Sequence, residues 1–223
     1  MVVFSIQVAA EPVADPLGIL AAYCDTSAGT VRAYDLLPAP RATLTPTVIK
    51  VTRSPWMGSR ISHEEAHHLL SLSNTAPWAA VPATAHLRDA DPQVENDLYD
   101  EALRLHRHFI HNRRPGLGLG KISKCLHLTR PGLFPILDSA VRKRYRRAAK
   151  EAAQTLTAAG CLDRPRRRAY WAAIRQDLLR SQDGLAQLRS AASEHDNALV
   201  REAAQKLSDV RLLDILTWAP NPA

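Results

Sequence analysis

The sequence predicts a mainly α protein with a minor N-terminal β or extended arm. Three observations carry this reading. Apolar side chains recur at three- and four-residue spacing from about residue 93 onward. Helix start and stop signals stand at Thr45-Pro46, Ser62–Glu65 and Arg113–Pro115. A glycine-rich turn, Pro115-Gly116-Leu117-Gly118, separates two of the expected helices. Residues 1–60 read as an arm and a first element packed on the main domain. Residues 61–223 read as the helical domain, and the two together as one structural unit.

The elements follow in order. Residues 1–45 are rich in Pro and Ala with weak periodicity, and Val31 to Leu37 reads as a short strand or an arm. Thr45 and Pro46 are a good N-cap and first-turn pair, so Leu44 to Thr52 is expected to be helical despite β-branched Val48, Ile49 and Val51. Ser62 and Glu65 have the spacing of a capping box opening a helix through Leu72. Pro77, Pro82 and Pro92 then cut the chain into short pieces. From about Gln93, Val94, Leu98, Ala102, Leu105, Phe109 and Ile110 share one stripe. A helix is expected at about Lys121 to Leu128, and Pro131 and Pro135 force an extended link after it. The next helix starts at Asp138 or Ser139 and carries Arg142, Lys143, Arg144, Arg146 and Arg147. Further helices are expected from Pro165 to Ser181, from Gly184 to Ala192 and from His195 to Leu207. Val210 to Ala219 should be a short apolar helix docked on the core.

Composition narrows the function. The chain has 223 residues, with length enough for a sizeable core, and 46% hydrophobic and 23% charged residues are globular values. The opening MVVFSIQVAA is too short and too uncharged to read as a signal peptide, and no window approaches a membrane span. Three widely spaced cysteines argue against a disulfide framework or a zinc site, so a reducing cytoplasm is expected. The net charge of +7 is unevenly placed: residues 101–180 carry 19 Lys and Arg against 5 Asp and Glu, whereas the segments on either side are net acidic. Such a field attracts polyanions; the alternative is a solvated helix face, and the coincidence with a phosphate-cradle motif counts against it.

The chemistry concentrates between Pro115 and Val141. Gly116, Gly118 and Gly120 allow a tight turn and leave amides uncovered at a helix N-terminus, which is a phosphate cradle. Pro-Gly-hydrophobic-Gly before a helix is the helix-hairpin-helix signature, which holds nucleic-acid backbone without specifying a base. Behind it, FPILD delivers one carboxylate, Asp138.

On these residues the stretch resembles the helix-hairpin-helix DNA glycosylases, and among them the adenine-DNA glycosylases. The interval from Gly116 to Asp138 matches without a gap, and Asp138 and Val141 are similar to the D-x-x-V ending. The resemblance covers about 30 residues. It implies a DNA partner, base excision repair, and a role for Asp138 in stabilising the sugar cation during N-glycosidic cleavage. Gly120 stands where lyase-active members have Lys, so a monofunctional hydrolase is implied. The iron–sulfur cysteines of the adenine-specific members are absent, and no cofactor is expected. Over its whole length the chain also resembles an uncharacterised bacterial family, through Ala33 to Pro38, Ser123 to Val141, Ala169 to Leu178 and Val210 to Trp218. That resemblance implies a shared fold and assigns no activity.

Several residues keep two readings. Asp138 is either a catalytic carboxylate or a helix cap. Lys121, Ser123, Lys124, Arg130, Arg142 and Lys143 are candidate phosphate contacts; for Ser123 and Lys124 a solvated face competes. Trp78 and Tyr145 are the candidates to stack a flipped base, ahead of Trp56, Trp171 and Trp218. Cys125 reads as packing. His67-His68 and the His106–His127 series lack metal-ligand spacing, so no metal is expected. Three functions follow: a DNA N-glycosylase, a non-catalytic backbone-binding protein of the same fold, or a hydrolase of a small N-glycoside.

Overall fold

The computed structural model describes residues 5–37, 42–54, 57–161 and 168–218. It is mainly helical, with twelve α-helices among the described residues and one two-stranded sheet. The sheet is a hairpin of β1 (Gln7–Val8) and β2 (Glu11–Pro12), paired antiparallel with Gln7 opposite Pro12. Ala9 and Ala10 turn it in the left-handed region, as a two-residue hairpin loop requires.

Asp15 caps α1 (Pro16–Thr26), accepting from the Gly18 amide at 2.9 Å, with Pro16 in the first turn. This helix lies in the stretch whose periodicity was weak; Asp15-Pro16 was the signal for it. Residues Val31–Asp35 form a π-helical turn after α2 (Ala28–Thr30), which corrects the strand or arm expected there. α3 (Pro46–Thr52) starts from Thr45 as its capping signal predicts. α4 (His63–Thr75) carries the complete capping box of Ser62 and Glu65.

Short 3₁₀ turns fill the Pro-rich stretch that follows. α5 (Leu98–His111) begins five residues later than periodicity suggested, because Asn96 adopts a left-handed conformation and Val94 is exposed. α6 (Leu119–His127) follows the glycine turn. The expected long basic helix is two: α7 (Ser139–Arg144) and α8 (Arg146–Ala158). α9 (Tyr170–Arg180), α10 (Gln182–Ser193), α11 (Ala198–Lys206) and α12 (Asp209–Leu216) complete the order. The expected start at Pro165, and Trp56, lie outside the described residues.

One core cluster runs from Ile6 to Leu216. α1 packs on α10, α11 and α12, α8 on α9, and α5 on α6. The hairpin is strapped to α9 and α10: the Gln7 amide donates to Ser181 Oγ at 2.9 Å and the Ala10 amide to Asp177 Oδ1 at 3.2 Å. Every residue of α12 from Val210 to Leu216 is buried. Among the described residues no helix is long and apolar enough to cross a membrane.

Two histidines sit inside this packing. His106 lies edge-on to Trp171 at 5.1 Å, and His127 donates from Nδ1 to the Phe134 carbonyl at 2.8 Å. Burial, aided by Arg107 for His106 and Arg211 for His127, pushes both down to about 4. The unfolded chain therefore takes up protons that the folded chain refuses as pH falls from about 6.5 to 4. Each histidine costs about 3 kcal/mol across that window. Asp214 acts in the opposite sense: burial raises it to about 6, so its protonation favours the folded state by a similar amount. The expected net result is a fall in the urea midpoint between pH 7 and pH 4.5. A constant midpoint contradicts it.

Candidate nucleic-acid interface

The turn between α5 and α6 is built by local bonds. The Leu117 amide donates to Arg114 O at 3.1 Å, and the Gly118 amide to Gly116 O at 3.0 Å. Gly116 has φ +92°, a conformation that side-chain-bearing residues resist. Gly118 is the N-cap of α6 and brings no side chain to cap it. Among the described residues nothing accepts from the Leu119 and Gly120 amides, so two donors stay open at the positive end of a helix.

Glu65 closes the inner side of the turn. A Cβ added to Gly116 would lie 2.5 Å from Glu65 Oε1. Both Glu65 oxygens accept from Lys121 Nζ at 2.9 Å, and Oε2 also accepts from the Ser62 amide at 2.7 Å. Burial alone would raise the Glu65 carboxyl, but Lys121 and the Ser62 amide hold it below the usual carboxylate range. Lys121 is thereby committed to α4 rather than projecting from the surface. Gly116→Ala combines unfavourable φ with the Glu65 contact and is expected to lower stability by about 1–3 kcal/mol in urea titration; an unchanged midpoint contradicts this geometry.

α6 fixes the position of Asp138. Ser123 Oγ donates to Gly120 O at 3.1 Å and accepts from the Leu137 amide at 3.0 Å. This staples the FPIL segment to the first turn of the helix. Gly120 lies against this segment: a Cβ there would meet Asp138 Cα at 3.5 Å, an ordinary contact, so the approach does not depend on glycine. Asp138 caps α7: its Oδ1 accepts from Ala140 at 2.9 Å and from Val141 at 3.0 Å. Among the described residues Oδ2 accepts no hydrogen bond. The carboxylate is half-exposed. Arg142 folds back to donate from Nε to Asp138 O at 3.1 Å. Lys124 is half-buried and donates from Nζ to Met57 O at 2.7 Å. Burial lowers its ammonium, and the Asp138 charge works against that.

α7 links this end to a cationic concavity. Lys143, Arg144, Arg146, Arg147, Lys150 and Arg168 line a cavity of about 660 Å³ together with Gln154. Lys143, Arg146, Arg147 and Lys150 are exposed. Arg144 pairs with Glu11 at 2.9 Å and Arg147 with Glu151 at 2.9 Å. Asp138 does not line this cavity, the one at the hairpin, or the small void beneath FPIL.

Four residues proposed from sequence sit elsewhere, and their roles change. Ser123 is 1% exposed and fully engaged in the staple. Arg130 is 2% exposed; it donates to the carbonyls of Ala42, Trp78 and Val81 and lies over the Trp78 ring at 4.8 Å. It binds backbone of this chain instead of phosphate. Trp78 donates its indole N–H to Ser73 O at 2.8 Å and packs on Phe109, so Arg130 and Phe109 occupy its ring rather than a base. Tyr145 is 1% exposed, buried beside Asp177 and Ala9. The surface set that remains together is the open amides of α6, Asp138, Arg142 and Lys143, with Lys124 half-buried behind them.

Sequence reading missed a second polar cluster. Arg211 donates from Nε to Asp35 Oδ1 at 2.8 Å, from its NH2 group to the Tyr23 hydroxyl at 2.8 Å, and from its NH1 group to Asp214. Tyr23 in turn donates to Asp35 Oδ2 at 2.7 Å. Asp35 belongs to AYDLL, and Arg211 and Asp214 to VRLLDILTW. The sequence reading places both segments in the fold and in the whole-chain similarity, but gives none of these three polar side chains a role. Among the described residues no group of three or more His, Cys, Asp or Glu side chains converges as a metal site would require.

The segments brought together here span nearly the whole chain, as does a family match over residues 20–221. The chain belongs to DUF6308, a family of unknown function. Comparisons with curated proteins and with solved structures found no match. The DUF6308 match includes the C-terminal part of α1, all of α2 through α12, and both polar clusters.

Proposed function

We propose that this protein binds the sugar–phosphate backbone of DNA without reading base sequence. The observation that carries this is the concavity lined by six cations on α7, α8 and Arg168, joined through α7 to the open amides of α6. Cations and unpaired helix N-terminal amides are the groups that hold phosphate oxygens. The sequence resemblance of Pro115 to Val141 to a backbone-binding hairpin supports the same reading. Fluorescence anisotropy with a short labelled duplex tests it. With about five phosphate contacts, log affinity should fall against log salt with a slope of about −4 to −5. A salt-independent affinity, or no binding at low salt, defeats it.

Asp138 supports a second reading, hydrolysis of an N-glycosidic bond. Its Oδ2 has no donor among the described residues, and its Cα and Cβ lie beside Gly120 in the first turn of α6. In that reaction the C1′–N bond breaks with its electron pair leaving on the base. Asp138 stabilises the sugar cation, water oxygen bonds to C1′, and the water proton ends on the base. Asn also caps helices well, so Asp138→Asn should keep the fold and DNA binding. Wild-type and variant protein are incubated with damaged genomic DNA, and free bases are identified by mass spectrometry. Release by wild type alone supports the reading; release by neither, with binding intact, removes it. Turnover of free nucleosides, insensitive to salt, would instead favour a small N-glycoside.

A further inference from the structure

A separate cavity of about 400 Å³ opens at the other end of α6, between the Val31–Asp35 turn, the α6 C-terminus and the residues leading into α12. That volume is in the range of small-molecule sites, about 300–1,000 Å³. Leu36, Leu37, Leu128, Pro131 and Leu207 give it apolar walls, and Tyr34, His127, Ser208 and Arg211 contribute polar groups.

Most of those polar groups are already satisfied. Arg211 is held by Asp35 and Asp214, and the Asp35 side chain is fully buried. Lys206 at the rim pairs with Glu202 at 2.6 Å. Tyr34 donates its hydroxyl to Lys124 O at 2.7 Å. Ser208 Oγ donates to Pro131 O at 2.6 Å and accepts from the Arg211 amide at 3.2 Å. The cavity therefore offers no unpaired charge to an ionic ligand.

His127 is the exception. The Phe134 carbonyl can only accept, so the proton of the neutral ring must be on Nδ1. Nε2 is then a lone-pair nitrogen. Among the described residues nothing donates to it, and it is not among the buried polar atoms that are sealed off without a partner. Burial keeps the ring neutral, which preserves that lone pair at ordinary pH. His127 also lies parallel to Tyr34 at 6.2 Å, so its orientation is fixed from two sides.

We propose that this cavity binds a small, neutral, largely apolar molecule that presents one N–H or O–H donor to His127 Nε2. The inference stands apart from DNA binding, since it uses neither the α6 N-terminus nor the basic face.

Matched probes test it on the full chain. Indole carries one N–H donor, and 1-methylindole has nearly the same shape without it. Phenol and anisole form a second pair. Binding is followed through the ¹⁵N resonance of His127 Nε2. Indole should shift that resonance and bind about tenfold more tightly than 1-methylindole, with phenol and anisole in the same order. Leu37→Trp on the half-exposed wall should abolish binding while the spectrum stays folded. The proposal is overturned by equal affinity within a pair, by binding that leaves His127 unmoved or survives Leu37→Trp, or by no binding of any probe.

Discussion

Replacing Lys143, Arg146 and Lys150 together by Gln should weaken DNA binding several-hundredfold at about 0.1 M salt. Each phosphate contact contributes about 0.9 of a unit of log–log salt slope, close to a decade of affinity at that concentration. The slope itself should become shallower by about 3. These side chains are exposed and line the basic concavity, so their loss leaves the core untouched. Stability should change by less than about 0.5 kcal/mol per site. The charge-matched comparison is between the single variants Lys143→Gln and Lys206→Gln, the latter on α11 and outside the lining of this concavity. An equal loss there would mean that net charge, not this surface, holds the DNA.

The largest loss of stability should come from Arg211→Met. Its side chain is 5% exposed and lies between Asp35, at 0%, and Asp214, at 5%. The substitution leaves two buried carboxyl groups without their cation. Breaking a buried pair in this way costs about 3–5 kcal/mol, which for a chain of this size lowers the melting temperature by roughly 6–20 °C. Asp35→Asn and Asp214→Asn, added to Arg211→Met, should restore part of that loss, because no uncompensated charge remains. Thermal unfolding of the single and the triple variant decides it. A single variant within about 1 kcal/mol of wild type would show that the cluster does not hold the N-terminal turn to α12.

The helices were legible where local chemistry decides them. Thr45-Pro46 and Ser62–Glu65 announce their own starts, and the observed caps use those side chains. The Pro115–Gly118 turn was legible for the same reason. What Glu65 does beyond its own helix was not, because its bond to Lys121 joins residues 56 positions apart. Ser123 and Arg130 were misplaced by a related cause. α6 buries most of its surface, so a polar residue on it is as readily an internal staple as a surface donor. Arg130 then contradicts the ordinary expectation that arginine is exposed, and only the carbonyls of Ala42, Trp78 and Val81 make its burial tolerable. Asp35 escaped notice because a π-helical turn has no sequence period to read, and Arg211 stands 176 residues away.

The central claim is that the α6 amides and the α7–α8 face together hold DNA backbone. The most direct measurement is a ¹⁵N–¹H spectrum of the protein titrated with a short duplex. The Leu119 and Gly120 amides, which have no acceptor among the described residues, should shift together with Arg142, Lys143, Arg146 and Lys150. Binding that leaves these resonances unmoved, or shifts confined to other faces, would contradict the claim.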